Sequence, residues 1–353
     1  MVPKQEILRA WGAVLTGRKP ALSIEITKEC PLRCPGCYAF GSDHVAPGID
    51  LRTLHDLRGE ALVEGVMALV HRYRPLHLSL VGGDPLVRYR ELEAIVPRAL
   101  AEGVFVQVVT SAFRPPPASW AGLDRFELAV SIDGLAADHD RRRAPATYER
   151  ILKNIAGHQV VVHCTLTAPM ARQAGYLEAF VDFWAGNPHV KKIWMSIFTP
   201  QRGAELEEIP SPEERERMIV ELERLRGLYP ALDMRPGVLA AMRRPPQSPR
   251  ECIFARATRV VSADLESEIG PCQFGGEPDC GRCGCYASMG AAAIGHHRLP
   301  GGLTPGAIFH ASADIGDWLT GRRRDGYQAA RSASSTLSSR TERVARSTSS
   351  TRP

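Results

Sequence analysis

Apolar and polar residues alternate with a period of two in six separate stretches, at 22–27, 76–81, 104–110, 126–132, 159–167 and 191–197, each rich in Val, Ile and Leu. That period predicts strands. Between them, apolar positions recur at helical spacing over about 57–73, 88–102, 147–157, 175–187 and 211–228. Repeated strand-helix alternation with short connections predicts a parallel sheet covered by helices. Six units fit an incomplete barrel better than a closed one of eight, although an open doubly wound sheet has the same pattern.

Parallel strands covered on both faces read as continuous apolar runs, and these do not. Glu25, Thr27, His77, Ser79, Gln107, Ser131, Asp133, His163, Thr165 and Ser196 stand at alternate positions among aliphatic neighbours. Successive side chains point to opposite faces, so one face of the sheet is polar in nearly every strand. We read it as the lining of a substrate cavity. The competing reading is that single members, such as His77 or His163, are satisfied core polars.

Residues 243–250, RRPPQSPR, form a proline-rich linker, after which short strands, glycines and cysteines follow. The chain therefore divides into an N-terminal segment (1–20), a core (21–242), a cysteine-rich module (251–315) and a tail (316–353).

With 353 residues, the chain is long enough to bury a sizeable core and carry an extension. Its formal charge is +5, but residues 331–353 hold five arginines and one glutamate, so the rest is close to neutral. A neutral core offers no basic face for nucleic acid, and none is expected as a partner. The tail, rich in Ser, Thr and Arg, has the composition of a disordered segment. The start of the chain carries Lys4, Glu6 and Arg9 and lacks a secretory pattern, and nowhere do the roughly 20 apolar residues of a membrane span occur. The nine cysteines are clustered at close spacings, which points to metal or redox chemistry in a reducing compartment and hence to the cytoplasm.

Three of them, Cys30, Cys34 and Cys37, are spaced C-x3-C-x2-C on a loop directly after the first strand. Three thiolates hold an iron-sulfur cube but leave one iron without a protein ligand, since a fully ligated cluster usually takes four. An open coordination position is the mark of a catalytic metal. Zinc competes as a reading, but it wants a fourth local ligand, and His44 lies beyond Tyr38 and a Gly-Ser turn.

ECPLRCPGCY, with the motifs that follow it, resembles the radical S-adenosylmethionine (radical SAM) superfamily over about residues 20–230. The resemblance implies a (β/α)6 partial TIM barrel and a 4Fe-4S cluster on Cys30, Cys34 and Cys37 whose fourth iron is chelated by S-adenosylmethionine. It implies further that reductive cleavage of that cofactor yields a 5'-deoxyadenosyl radical, which abstracts hydrogen from a substrate. The family often has an aromatic residue before the third cysteine; here Gly36 stands there and Tyr38 follows, so Tyr38 joins the cofactor-binding candidates.

Gly82-Gly83-Asp84-Pro85, at the end of the second strand, is similar to the family's GGE-type motif, with Asp84 where glutamate is common. A glycine pair there lets backbone approach a ligand at the end of the sheet where sites form, and the resemblance assigns Gly82, Gly83 and Asp84 to the cofactor's ammonium. Ser131-Ile132-Asp133-Gly134, then His139-Asp140-Arg141-Arg142-Arg143, resembles the branch of the family that carries SPASM or twitch auxiliary-cluster modules. Ser131 and Asp133 are placed by it at the cofactor, and an arginine fork suits a carboxylate; Arg143 is the one we assign, with the other two expected to be solvated.

Cys252, Cys272, Cys280, Cys283 and Cys285 give the extension five thiols within 34 residues, enough for a four-ligand site with one to spare. The twitch-like pattern implies a second 4Fe-4S cluster, with structural zinc as the alternative. Cys164 is expected to be a small buried hydrophobe. The reading that emerges is a radical SAM enzyme acting on an unidentified peptide or small molecule, dependent on an external one-electron reductant such as flavodoxin or ferredoxin. The alternative is a zinc- or iron-sulfur-binding sensor on the same fold that does not turn over.

Overall fold

The computed structural model describes residues 4–321. Seven strands, β1 (Ala21–Glu25), β2 (His77–Val81), β3 (Phe105–Thr110), β4 (Phe126–Ser131), β5 (Val160–Leu166), β6 (Val190–Ile197) and β7 (Thr258–Val261), form one open parallel sheet in the order β6-β5-β4-β3-β2-β1-β7. The helices are α1 (Lys4–Leu15), α2 (Gly59–Tyr73), α3 (Tyr89–Ala101), α4 (Ala136–Arg143), α5 (Tyr148–Asn154) and α6 (Ala168–Ala171). They continue with α7 (Tyr176–Ala185), α8 (Pro212–Leu228), α9 (Pro236–Arg243), α10 (Ile253–Ala257), α11 (Tyr286–Gly295) and α12 (Pro305–Leu319). An open parallel sheet in sequential order with helices along the chain is a partial barrel rather than a doubly wound sheet, in which the strand order would reverse.

One set of alternate side chains builds the core. Leu22 and Ile24, Leu78 and Leu80, Val106 and Val108, Leu128 and Val130, and Val162 and Cys164 are all buried in one cluster with residues of α2, α3 and α7 such as Val66, Ile95 and Trp184. Local signals start the helices that cover them. Ser211 accepts from the Glu214 backbone while the Glu214 side chain accepts from the Ser211 backbone, a reciprocal cap that opens α8 with Pro212 at its first position.

Two features differ from the sequence reading. The extension is not built of short strands around a separate core: β7 joins the main sheet beside β1, in register from Ala21 opposite Thr258 to Ile24 opposite Val261. The extension is also largely helical beyond Cys285, and α12 runs through Leu319, past residue 315. Helix α12 returns across α1, where a Cβ on Gly316 would meet the Val14 carbonyl at 2.3 Å, so only glycine permits that crossing. The rest of the tail lies outside the described residues. Among the described residues no helix is long and apolar enough to cross a membrane.

Candidate functional site

The ends of β1 to β4 bring the predicted residues to one rim of the sheet. At the first of these, Ile26 donates to Val81, Gly83 to Thr27 at 2.8 Å and Asp84 to Glu29 at 2.9 Å, so the turn after β2 zips onto the three residues that lead into Cys30. The glycines are required by that zip. A Cβ on Gly83 would lie 2.2 Å from the Glu29 carbonyl oxygen, and one on Gly82, whose φ is +130°, would lie 2.8 Å from that of Thr27. What this turn approaches within the chain is the backbone of residues 27–29, and the Gly83 and Asp84 N–H groups are engaged there.

Asp84 is anchored at the same turn. Its carboxylate is buried and accepts from Thr110 Oγ1 (2.7 Å), Leu86 N (3.0 Å), Ser111 N (2.8 Å) and Ser111 Oγ (2.5 Å). Four protein donors fill its lone pairs, and burial outweighs them enough to raise its pKa. The sequence reading missed Thr110, Ser111 and Asn154, which donates to the Ala112 carbonyl at 2.8 Å. Together they hold Ala112 at a φ of +52° at the end of β3.

The three thiols sit on the loop that this zip anchors. Cys30, Cys34 and Cys37 are partly buried, and burial pushes the Cys30 thiol up to about 12, with Cys34 and Cys37 raising it further by charge. Burial raises Cys34 and Cys37 too. Over them reaches α4. Arg143 donates through Nε to Asp133 Oδ2 at 2.8 Å, and Arg142 lies 3.7 Å from the same oxygen. Burial works to raise the Asp133 carboxyl, but Arg143 and then Arg142 hold it below the ordinary carboxylate range. The Asp133 N–H donates to His139 Nδ1 at 3.0 Å, and His139 Nε2 donates to the Ala146 carbonyl.

Only Arg141 of the three arginines is solvated, paired with Asp138 and 73% exposed. Arg142 reaches the Glu208 carboxylate at 3.0 Å and the Pro35 carbonyl, on the cysteine loop, at 3.3 Å. Two half-buried guanidinium groups instead of one therefore act on Cys34, which corrects the expectation that Arg142 is solvated. An eight-residue helix offers one face to the site, and adjacent positions 142 and 143 straddle it.

His44 has both ring nitrogens engaged. Its Nε2 bonds Glu25 Oε1 at 2.6 Å and its Nδ1 the Phe274 carbonyl oxygen at 3.0 Å, while Glu25 Oε2 accepts from Ser262 at 2.7 Å. Burial opposes protonation, yet the Glu25 contact raises the His44 pKa. Glu25 is thus a tie between β1 and the extension. Tyr38 packs on this tie, edge-on to Phe274 with ring centroids 5.3 Å apart. Burial and then Glu25 raise the pKa of its hydroxyl, and Cys37, Cys285 and Cys272 add to this, so Tyr38 is within electrostatic reach of thiols from both groups.

The polar sheet face divides into two parts. Ser79, Gln107 and Glu127 are in register across β2, β3 and β4 and bond to one another, Ser79 to Gln107 at 3.3 Å and Gln107 to Glu127 at 2.9 Å. That row is a satisfied network. Nearer the strand ends, Ser131, His163 and Trp194 are in register, all half-buried. His163 Nε2 meets Ser196 Oγ at 2.8 Å, and burial pushes its pKa down to about 4. Trp194 stacks on Tyr286 with centroids 4.9 Å apart, and its indole N–H has no partner among the described residues. Ser131 likewise keeps its hydroxyl available. The Ser131 hydroxyl is therefore the polar group of this strip left for a ligand, while the Trp194 N–H is buried without a partner among the described residues.

Cys252, Cys272, Cys280 and Cys283 line one small cavity. Cys285, beside it, is buried and accepts from Gln273 Nε2 at 3.1 Å. A single zinc ion at about 2.3 Å from each sulfur draws its ligands together on one point, whereas a cube spaces them around its corners. Among the described residues no group of three or more thiols, imidazoles and carboxylates is gathered tightly enough for one ion. Thiolates of this number are a donor type suited to an iron-sulfur cluster or to zinc. Cys164 is buried, as expected.

Residues 24–165 match the model of the radical SAM superfamily, and the chain carries a radical SAM domain. It is similar to the PqqA peptide cyclase of Methylobacterium sp. (strain 4-46), 31% identical over 115 residues, which cover 31% of this chain and 28% of that protein. To the PqqA peptide cyclase of Rhizobium meliloti (strain 1021) it is 29% identical over 143 residues, 36% of this chain and 35% of that one. The match thus spans about a third of the length of either relative. Among solved structures, Streptococcus suis SuiB bound to precursor peptide SuiA has a TM-score of 0.52 at 11% identity, covering 73% of this chain and 62% of SuiB. anSMEcpe with bound AdoMet also scores 0.52, at 13% identity, covering 86% of this chain and 97% of that one. These likenesses are of fold.

Proposed function

We propose that this chain is a radical SAM enzyme that modifies a peptide. The observation that carries the reading is the engagement of both His44 nitrogens by Glu25 and Phe274. The loop of Cys30, Cys34 and Cys37 then supplies three ligands and no local fourth, which suits a four-iron cluster with one iron open to S-adenosylmethionine. Bound there, the cluster and cofactor supply reductive cleavage to a 5'-deoxyadenosyl radical able to abstract hydrogen.

The chain's own part is placement. The zip of residues 26–29 onto the turn after β2 fixes where the cysteine loop begins. Arg142 and Arg143 lie beside the thiols as fixed positive charge, and a cluster that carries negative charge is stabilised by them. Asp133 orients Arg143. Ser131, on the open strip of the lumen, is the residue suited to bond the cofactor's ribose or carboxylate. His163, bonded to Ser196 and neutral near pH 7, and Trp194, stacked on Tyr286, wall the lumen without adding charge. Walls of this kind keep water from a reactive centre.

Cys252, Cys272, Cys280 and Cys283 would hold an auxiliary four-iron cluster. A peptide substrate is favoured over a small molecule or lipid because the curated relatives are peptide cyclases. An external one-electron donor of the flavodoxin or ferredoxin type is required, and a cytoplasmic setting suits nine cysteines all present as thiols.

The test is anaerobic reconstitution with iron and sulfide, reduction, and assay for 5'-deoxyadenosine. The native chain should form it. A protein with Cys30, Cys34 and Cys37 all replaced by Ala should not, and equal behaviour of the two overturns the reading.

A further inference from the structure

A cleft of ≈ 1470 Å³ opens between α1, α12 and the cysteine-rich segment, with Arg259 of β7 in its wall. None of its lining residues comes from the Cys30 loop or from β2 to β6. Six basic residues line it against four acidic ones, Glu268, Glu277, Asp314 and Asp317. Arg256 is neutralised by Asp314 (2.8 Å) and Asp317 (3.1 Å), and Arg259 pairs with Glu268. Lys19 donates to the Ala255 and Thr258 carbonyls. Arg18, Arg202 and Arg250 also line the cleft, all exposed, and make no ion pair with any described residue. Beside them stands Trp318, 78% exposed, more than any other large apolar side chain described.

We propose that this cleft docks an acidic segment of a peptide, with Arg18, Arg202 and Arg250 holding its carboxylates and Trp318 packing on its apolar side chains. Three unpaired guanidinium groups select for carboxylates and steer them in. The volume exceeds that of ordinary small-molecule pockets, about 300–1,000 Å³, and so suits several residues of a chain. An exposed tryptophan beside arginines is the composition of a binding anchor. Position gives the docking a purpose. The Arg202 backbone donates to the Glu277 carbonyl at 2.8 Å, joining the loop after β6, which begins at the lumen's rim, to the cysteine-rich segment. The cleft is thus tied through Arg202 to the loop that follows β6. The proposal rests on the peptide-modifying reading for the identity of the occupant.

The experiment uses the full reconstituted chain and fluorescence anisotropy of labelled peptides. One is composed of Glu, Asp and Leu; its match replaces the acids by Gln and Asn; a labelled single-stranded oligothymidine is the third probe. The acidic peptide should bind, with affinity falling as salt rises. Arg202→Glu combined with Arg250→Glu should weaken it about tenfold or more, and Trp318→Ala should weaken both peptides alike. Formation of 5'-deoxyadenosine without peptide should be unchanged in these variants. Equal binding of the acidic and amide peptides, native-like binding by the double variant, or tighter binding of the oligonucleotide overturns the docking site. If the native chain binds the acidic peptide through these arginines but forms no 5'-deoxyadenosine, the docking site stands and the enzymatic reading fails.

Discussion

Arg143 donates its Nε–H to Asp133 Oδ2 at 2.8 Å, joining α4 to the end of β4 directly beside the thiols of Cys34 and Cys37. Both partners are largely buried, at 18% and 7% side-chain exposure. Removing one leaves the other charged and without its partner. Asp133→Asn should therefore lower unfolding free energy by roughly 3–5 kcal/mol, read by urea denaturation of the metal-free chain. Arg141→Ala, whose pair is exposed, should stay within about 0.5 kcal/mol of the native chain. Similar small losses for both would show that the Arg143 pair is not a structural tie.

Gly83 presses on the Glu29 carbonyl just ahead of Cys30. Gly83→Ala must push the two backbones apart, and strain of this kind costs about 1–3 kcal/mol. It should also misplace the first thiol without altering any cysteine. The expected result is lower iron incorporation at the Cys30 site on reconstitution, measured in a variant whose auxiliary cysteines are already replaced by Ala. Full incorporation by that variant would mean that the zip does not position the loop.

This contrast shows what the sequence makes legible. Cys30, Cys34 and Cys37 were readable because their ligand spacing is local, and the six strands because each repeats its own period. Gly82 to Asp84 was readable as a special turn but not for its partners, since the backbone it meets at 27–29 is more than fifty residues away in the chain. For the arginines, three identical neighbours carry no mark of which ones a short helix turns inward. Strand β7 has four residues, too few to show a period, and α11 is so rich in Ala and Gly that no apolar stripe stands out. The engagement of His44 was not legible at all, because Phe274 and Ser262 reach it only after β7 has joined β1.

His163 gives a pH test. Burial holds its pKa near 4 in the fold, whereas in the unfolded chain it lies near 6.5. Between these values the unfolded chain binds a proton that the folded one excludes. The neutral imidazole's contribution is thus complete above about pH 6.5, declines as pH falls through the window, and levels off below about pH 4. From pH 7 to pH 5 the native chain should lose up to about 2 kcal/mol more than His163→Gln does. Parallel pH profiles for the two proteins would contradict a neutral, buried His163.

The fate of the fifth thiol distinguishes the ligands around the second cavity. Cys252, Cys272, Cys280 and Cys283 wall the space itself, while Cys285 accepts a hydrogen bond from Gln273 and is only 5% exposed. In a background where Cys30, Cys34 and Cys37 are Ala, each of Cys252→Ala, Cys272→Ala, Cys280→Ala and Cys283→Ala should lower the iron and sulfide retained after anaerobic gel filtration. Cys285→Ser should retain both, since a hydroxyl still accepts from Gln273 and no iron ligand is lost. Loss of iron from Cys285→Ser with retention in Cys280→Ala would exchange their roles, and zinc in place of iron and sulfide would replace the cluster altogether.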